Sequence, residues 1–121
     1  MTPFTLSLRR SFLEKSKPLT FIGFAIRARK VRAGVNAIAT LKGKVKVLII
    51  CQTASKNTFK DAIELSKKLS APLVVSKTYK VEDIIKKENC KLLAIQDESL
   101  GNAILQHLDN HFQEYSWRDN T

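Results

Sequence analysis

VKVLII, residues 45–50, is nearly continuous in apolar side chains and rich in β-branched ones. That pattern predicts a strand buried on both faces. Such a strand needs helices on both sides of its sheet. Downstream, a polar loop, CQTASKNT (51–58), leads into a helix opened by Thr58-Phe59-Lys60-Asp61, with Thr58 as its cap. Phe59, Ala62, Ile63 and Leu69 share one face of it. Lys60, Glu64 and Lys68 lie at i, i+4 steps on the other. PLVV (72–75) reads as a second buried strand, SKTYK (76–80) as a polar loop and Val81–Lys87 as a short helix. LLAI (92–95) is a third strand. A last helix carries Leu100, Ile104 and Leu108 on one face, with Asp97 or Ser99 as cap.

Upstream, Pro18 suits a first helical position, and Leu19, Ile22, Ala25 and Ile26 follow helical spacing. Arg27, Arg29 and Lys30 close that helix, where cations suit its dipole. Val31–Ala33 is a short extended piece, Gly34 breaks the chain, and Val35–Leu41 reads as a second helix stopped by Gly43. Strands alternating with helices predict an α/β fold: a compact three-layer α/β/α sandwich with a small, roughly four-stranded mixed sheet. The domain is expected over residues 18–112. A basic extension (1–17) precedes it, and a polar tail (113–121) follows. The extension reads as a flexible or docking arm, although its composition also resembles an organelle transit peptide.

At 121 residues the chain suits one domain with one modest core. No apolar run approaches the roughly 18 residues of a membrane span, so no membrane is expected among its partners. The net charge of +10 is lopsided. Residues 1–50 hold eleven Lys and Arg against one acid, Glu14, whereas residues 51–121 hold ten of each sign. A basic half joined to a balanced one points to a polyanion-binding face rather than to solubility alone. Cys51 and Cys90 adjoin apolar runs and form no C-x-x-C pair, so buried thiols in a reducing compartment are expected.

Signatures of catalysis are scarce. There is no G-x-G-x-x-G, no phosphate-binding Walker loop and no G-x-S-x-G elbow. His107 and His111 stand four apart and would share a helix face if the last helix reached that far. No third ligand accompanies them, so a surface pair is expected rather than a metal site. No cofactor, metal or catalytic residue is expected. The informative segment is KVRAGVNAI (30–38). Its arginine can neutralise phosphate, Gly34 permits close backbone approach, and Asn36 can donate and accept at a base edge. If a helix starts at residue 35 or 36, its free N–H groups point to the same place. A purely local role competes with this: Gly34 serves the turn and Asn36 caps the helix.

The segments IGFAIRARKVRAGVNAI (22–38), GKVKVLII (43–50), TASKNT (53–58), APLVV (71–75) and LLAIQDESLGNAI (92–104), in that order and spacing, resemble the kink-turn-binding ribosomal-protein superfamily. That group includes the archaeal box C/D RNA-binding ribosomal protein and the eukaryotic L-thirty type. The similarity is greatest to small bacterial YlxQ-type members. The resemblance implies a three-layer α/β/α sandwich and a non-enzymatic protein that binds kink-turn or similarly bent RNA, with the ribosome as a candidate partner; a cytoplasmic location and a monomer are expected beside it. It implies RNA contacts at Gly34, Val35 and Asn36, with Arg32 before them, and at Ser76, Lys77 and Thr78 in a later loop. Arg29, Lys30, Lys42 and Lys44 complete the expected basic surface. The chain departs from the family where RNA-binding members often carry an acid and a lysine: here stand Ala37 and Thr40. Gln52-Thr53 replaces an acidic pair, and a Leu-Gly is missing around Val81–Ile84. These departures suit the alternative of a protein-interaction module of the same fold.

Overall fold

A computed structural model describes residues 16–41, 44–88 and 90–115 of the chain. The elements run α1 (Lys17–Arg27), β1 (Val31–Ala33), α2 (Val35–Ala39), β2 (Val47–Cys51), α3 (Lys56–Leu69), β3 (Leu73–Ser76), α4 (Val81–Ile85), β4 (Leu92–Ile95), α5 (Glu98–Gln106) and β5 (Phe112–Tyr115). The sheet order is β1-β4-β2-β3-β5. β2 and β3 are parallel, joined by the α3 crossover, and every other pairing is antiparallel.

All five residues of β2 are buried, as its unbroken apolar run requires. Its side chains alternate between two cores. Val47, Ile49 and Cys51 pack with Ile22 and Ala25 of α1, Val81 of α4 and Ile104 of α5. Leu48 and Ile50 pack with Ile38 of α2 and with Ala62 and Leu65 of α3. Helices therefore cover both faces, and the three-layer mixed α/β expectation holds. Both cysteines are buried free thiols.

The sheet has five strands rather than four. The additional strand, β5, lies where the sequence predicts a polar tail from Gln113. Its one fully buried anchor is Phe112, and Gln113 and Glu114 are exposed. An edge strand held by backbone pairing to β3 needs no alternating apolar pattern, so FQEY carries little strand signal. Residues 116–121 lie outside the described residues.

Caps account for the other shifts. Ser16, expected in the extension, is buried, and its Oγ accepts from the Leu19 N–H at 3.3 Å, so α1 begins one residue before Pro18. Residues 1–15 lie outside the described residues. Ser55, not Thr58, caps α3: its Oγ accepts from the Thr58 N–H at 3.2 Å. Asp97 caps α5 by accepting from the Leu100 N–H at 2.8 Å. α2 stops at Ala39, where the Thr40 hydroxyl folds back toward the Asn36 and Ala37 carbonyls. The expected stop at Gly43 lies outside the described residues. α4 stops at Ile85, because Lys86 turns left-handed at φ 59°.

Candidate functional site

The strand directions gather several loops at one end of the sheet. A row of backbone bonds marks that end: Gly34 N–H to Leu92 carbonyl (2.8 Å), Cys51 to Lys91 (2.9 Å), Gln52 to Ser76 (3.1 Å) and Lys77 to His111 (2.7 Å). The β1–α2 turn, the α4–β4 segment, the β2–α3 loop and the β3–α4 loop therefore share one rim, in that order across it.

Gly34 is the pivot of the first turn. Its φ of 95° with ψ of 146° is a conformation that L side chains rarely adopt, and a Cβ there would still meet no atom within 4 Å. The glycine serves the backbone path and leaves its surface open. Val35 is half-buried against the α2–α3 core. Asn36 is exposed and does not cap: α2 has no side-chain cap, and the Asn36 amide has no hydrogen-bond partner among the described residues. A purely local role for Asn36 therefore finds no contact to support it. The expected helix-end phosphate site is weak, however, because α2 spans five residues and carries a correspondingly small dipole.

A cleft of about 460 Å³ opens beside this turn. Gly34 and Asn36 form one side, and Thr58, Lys87 and Lys91 complete it, with no carboxylate among the described residues in its lining. Lys91 is steered by Glu82, whose Oε1 lies 2.7 Å from its Nζ. The hydrogen bond from the Lys91 ammonium to that carboxylate raises the Lys91 pKa above its ordinary value, so the ammonium stays charged. Sequence reasoning missed Lys87 and Lys91. The available signal was the lysine-rich run KKENCK (86–91) directly before the β4 strand.

The remaining expected residues are scattered. Ser76 is buried, and its hydroxyl donates to the Tyr79 carbonyl, so its side chain shapes the loop from within. Lys77 is exposed, and the Thr78 hydroxyl pairs with His111 Nδ1 at 2.7 Å. This loop stands on the same rim as Gly34 but three strands across, roughly 14 Å at the usual strand spacing. Arg32 is exposed on the edge strand opposite Ala94, on the α2–α3 side of the sheet. Arg29, Lys30 and Lys44 belong to the other end. Arg29 turns left-handed at φ 60° to close α1, and the Lys30 carbonyl accepts from the Gln96 N–H at 2.8 Å. Lys44 precedes the foot of β2, and Lys42 lies outside the described residues. His107 closes α5 beside Phe21, whereas His111 sits against Tyr79 before β5, so the two do not share a helix face. Among the described residues, no three His, Cys, Asp or Glu side chains are grouped to hold a metal ion. Nor is any helix among them long and apolar enough to cross a membrane.

Neither a protein-family model nor a curated protein matches the chain. A solved structure of a protein of unknown function from Bacillus halodurans is similar to it, with a TM-score of 0.63 and 22% identity. The match covers 75% of this chain and 95% of that one. At that identity the likeness speaks to the fold alone.

Proposed function

We propose that this chain is a non-enzymatic RNA-binding protein that holds a bent, structured RNA of the kink-turn kind at the Gly34–Asn36 end of its sheet. One observation carries the reading. An exposed asparagine without a partner among the described residues shares a single cleft with Lys87 and with Lys91, the latter paired with Glu82, and no carboxylate of the described residues lines that cleft. Lys87, Lys91 and the nearby Arg32 would neutralise phosphates, giving affinity that falls steeply with salt. The Asn36 amide would donate to and accept from a base edge, and the bare surface of Gly34 would let the RNA approach. Selectivity would come from RNA shape and unstacked bases rather than from reading a duplex groove. The resemblance to the kink-turn superfamily supports the same reading, and with it a ribosome-associated role.

The decisive experiment is binding to a kink-turn RNA and to a length-matched plain duplex, each at low and moderate salt. A preference of ten-fold or more for the bent RNA, about 1.4 kcal/mol, is expected. Equal binding to both, abolished together by salt, would reduce the basic half to a general polyanion surface. A second reading, a protein-interaction module, is favoured by Ala37 and by Thr40, whose hydroxyl is turned onto its own helix. Co-purification of a protein partner, with no salt-dependent shift on any RNA, would support it instead.

A further inference from the structure

We infer that the opposite end of the sheet carries a second RNA contact, built around Lys46, that grips the sugar–phosphate backbone of a duplex arm flanking the bent element. This inference rests on the RNA-binding reading above and adds to it a site and a ligand geometry.

At the foot of β2 lies a second cleft, of about 600 Å³, lined by Lys44, Lys46, Lys68, Gln96 and Glu98 among others. Lys46 is a held side chain. A Cβ on Gly101 of α5 would stand 2.2 Å from Lys46 Cγ and 2.7 Å from Lys46 Cβ, so the lysine stem occupies the space that any other residue at 101 would fill. A glycine inside a helix lowers its propensity, and the stem of Lys46 is what makes it necessary here. The stem is half-buried, yet its ammonium has no ion pair among the described residues. A stem packed in advance leaves less rotamer freedom to lose when its ammonium meets an anion. Lys44 and Lys68 are exposed and likewise have no ion-pair partner among the described residues. Glu98 is the one carboxylate in the lining among the described residues, and it sits in the first turn of α5, where the helix end favours it. Lys30 adjoins the cleft through its carbonyl bond to Gln96, and Arg29 precedes it. Of the basic residues in the N-terminal half, Lys44 and Lys46 line this cleft.

The geometry also limits the ligand. The two clefts are the two mouths of β4, with Lys91 at one end and Gln96 at the other, roughly 17 Å apart at the usual rise of a strand. A mononucleotide or free phosphate would occupy one mouth only. A folded RNA whose bent element sits at Asn36 can carry a duplex arm past the edge of the sheet to Lys46, and its regularly spaced phosphates fit the cluster of Lys44, Lys46 and Lys68.

The test measures binding of three RNAs at several salt concentrations: a bent RNA with short arms, the same RNA with one long arm, and a plain duplex. The proteins are the full chain, Lys46→Gln/Lys68→Gln and Asn36→Ala/Lys87→Gln. Glutamine retains the Cβ and Cγ of Lys46 that lie on Gly101, and a urea melt checks that the fold is kept. The Lys46→Gln/Lys68→Gln protein should bind the long-armed RNA and the duplex about ten-fold more weakly. Its salt slope should be lower by about two, near one for each phosphate no longer neutralised, with short-armed binding unchanged. Unaltered affinity and slope on the duplex would overturn the second contact. Failure of Asn36→Ala/Lys87→Gln to weaken the short-armed RNA would instead overturn the first cleft, and the duplex measurement would still decide the second.

Discussion

The aliphatic stem of Lys46 lies in the place where Gly101 has no side chain, with Lys46 Cγ 2.2 Å from where a Cβ would be. Gly101→Ala must therefore expel a stem that is packed close to the backbone, not a free side-chain end. Overpacking of this kind costs about 1–3 kcal/mol, and the helix regains about 1 kcal/mol by losing a glycine. A net loss of about 1 kcal/mol in urea unfolding is expected. Gly101→Ala should also weaken long-armed RNA binding without changing any charge. Unchanged stability and binding would mean that the stem moves freely and that Lys46 is not held.

Gly34 makes the converse case, with open space and a forbidden conformation. Gly34→Ala meets no atom within 4 Å, but φ 95° and ψ 146° suit glycine almost alone. A loss of about 1–3 kcal/mol is expected from backbone strain alone. A melt equal to that of the parent chain would show that the turn relaxes to another path.

Asn36 has no cap to lose. Asn36→Ala should leave stability within about 0.5 kcal/mol while weakening bent RNA more than duplex. Equal loss on both RNAs would leave Asn36 without a role in selectivity. Arg32→Ala, by contrast, should lower the salt slope by about one, and an unchanged slope would remove Arg32 from the residues that neutralise phosphate.

Phe112 anchors the fifth strand and is fully buried. It stacks on Tyr79 with ring centroids 5.8 Å apart. Phe112→Ala should cost about 3–5 kcal/mol by transfer loss and cavity formation. A cost below about 1 kcal/mol, typical of surface positions, would return this segment to the status of a dispensable tail.

Two weak acids link the fold to alkaline pH. Burial pushes the Cys90 thiol above its ordinary 9.0, and burial together with Asp109 pushes the Tyr79 phenol above 10.0. Each group holds its proton longer in the folded chain than in the unfolded one. Their contribution is complete below the unfolded values and declines as pH rises through them. Stability should therefore fall above about pH 9, and Cys90→Ala should flatten part of that fall. A flat stability profile between roughly pH 8 and pH 10.5 would contradict both shifts.

Much of the fold was legible because its signals are local. VKVLII, PLVV and LLAI are apolar enough to identify buried strands without knowledge of their neighbours, and the helices between them keep a recognisable apolar face. β5 was not legible, because an edge strand held by one buried phenylalanine and backbone pairing has almost no side-chain pattern. The helix starts at Ser16 and Ser55 escaped for a related reason: a hydroxyl shows itself as a cap only once its N–H partner is in position.

The candidate site divides along the same line. The chemistry available in the Arg32–Asn36 turn is local, since a glycine at a break, an asparagine and flanking cations are carried within a few residues. The concentration of positive charge in the first fifty residues is likewise read from the sequence. Which cations stand together depends on how the strands pair. β4 runs antiparallel between β1 and β2, so it carries Lys91 to Asn36 and Gln96 to the foot of β2. Residues close in sequence, such as Lys30 and Gly34, are thereby sent to opposite ends of the sheet. Residues more than fifty positions apart, Asn36 and Lys91, meet at one cleft. Strand direction is a property of pairing partners, and no single segment of the chain contains it.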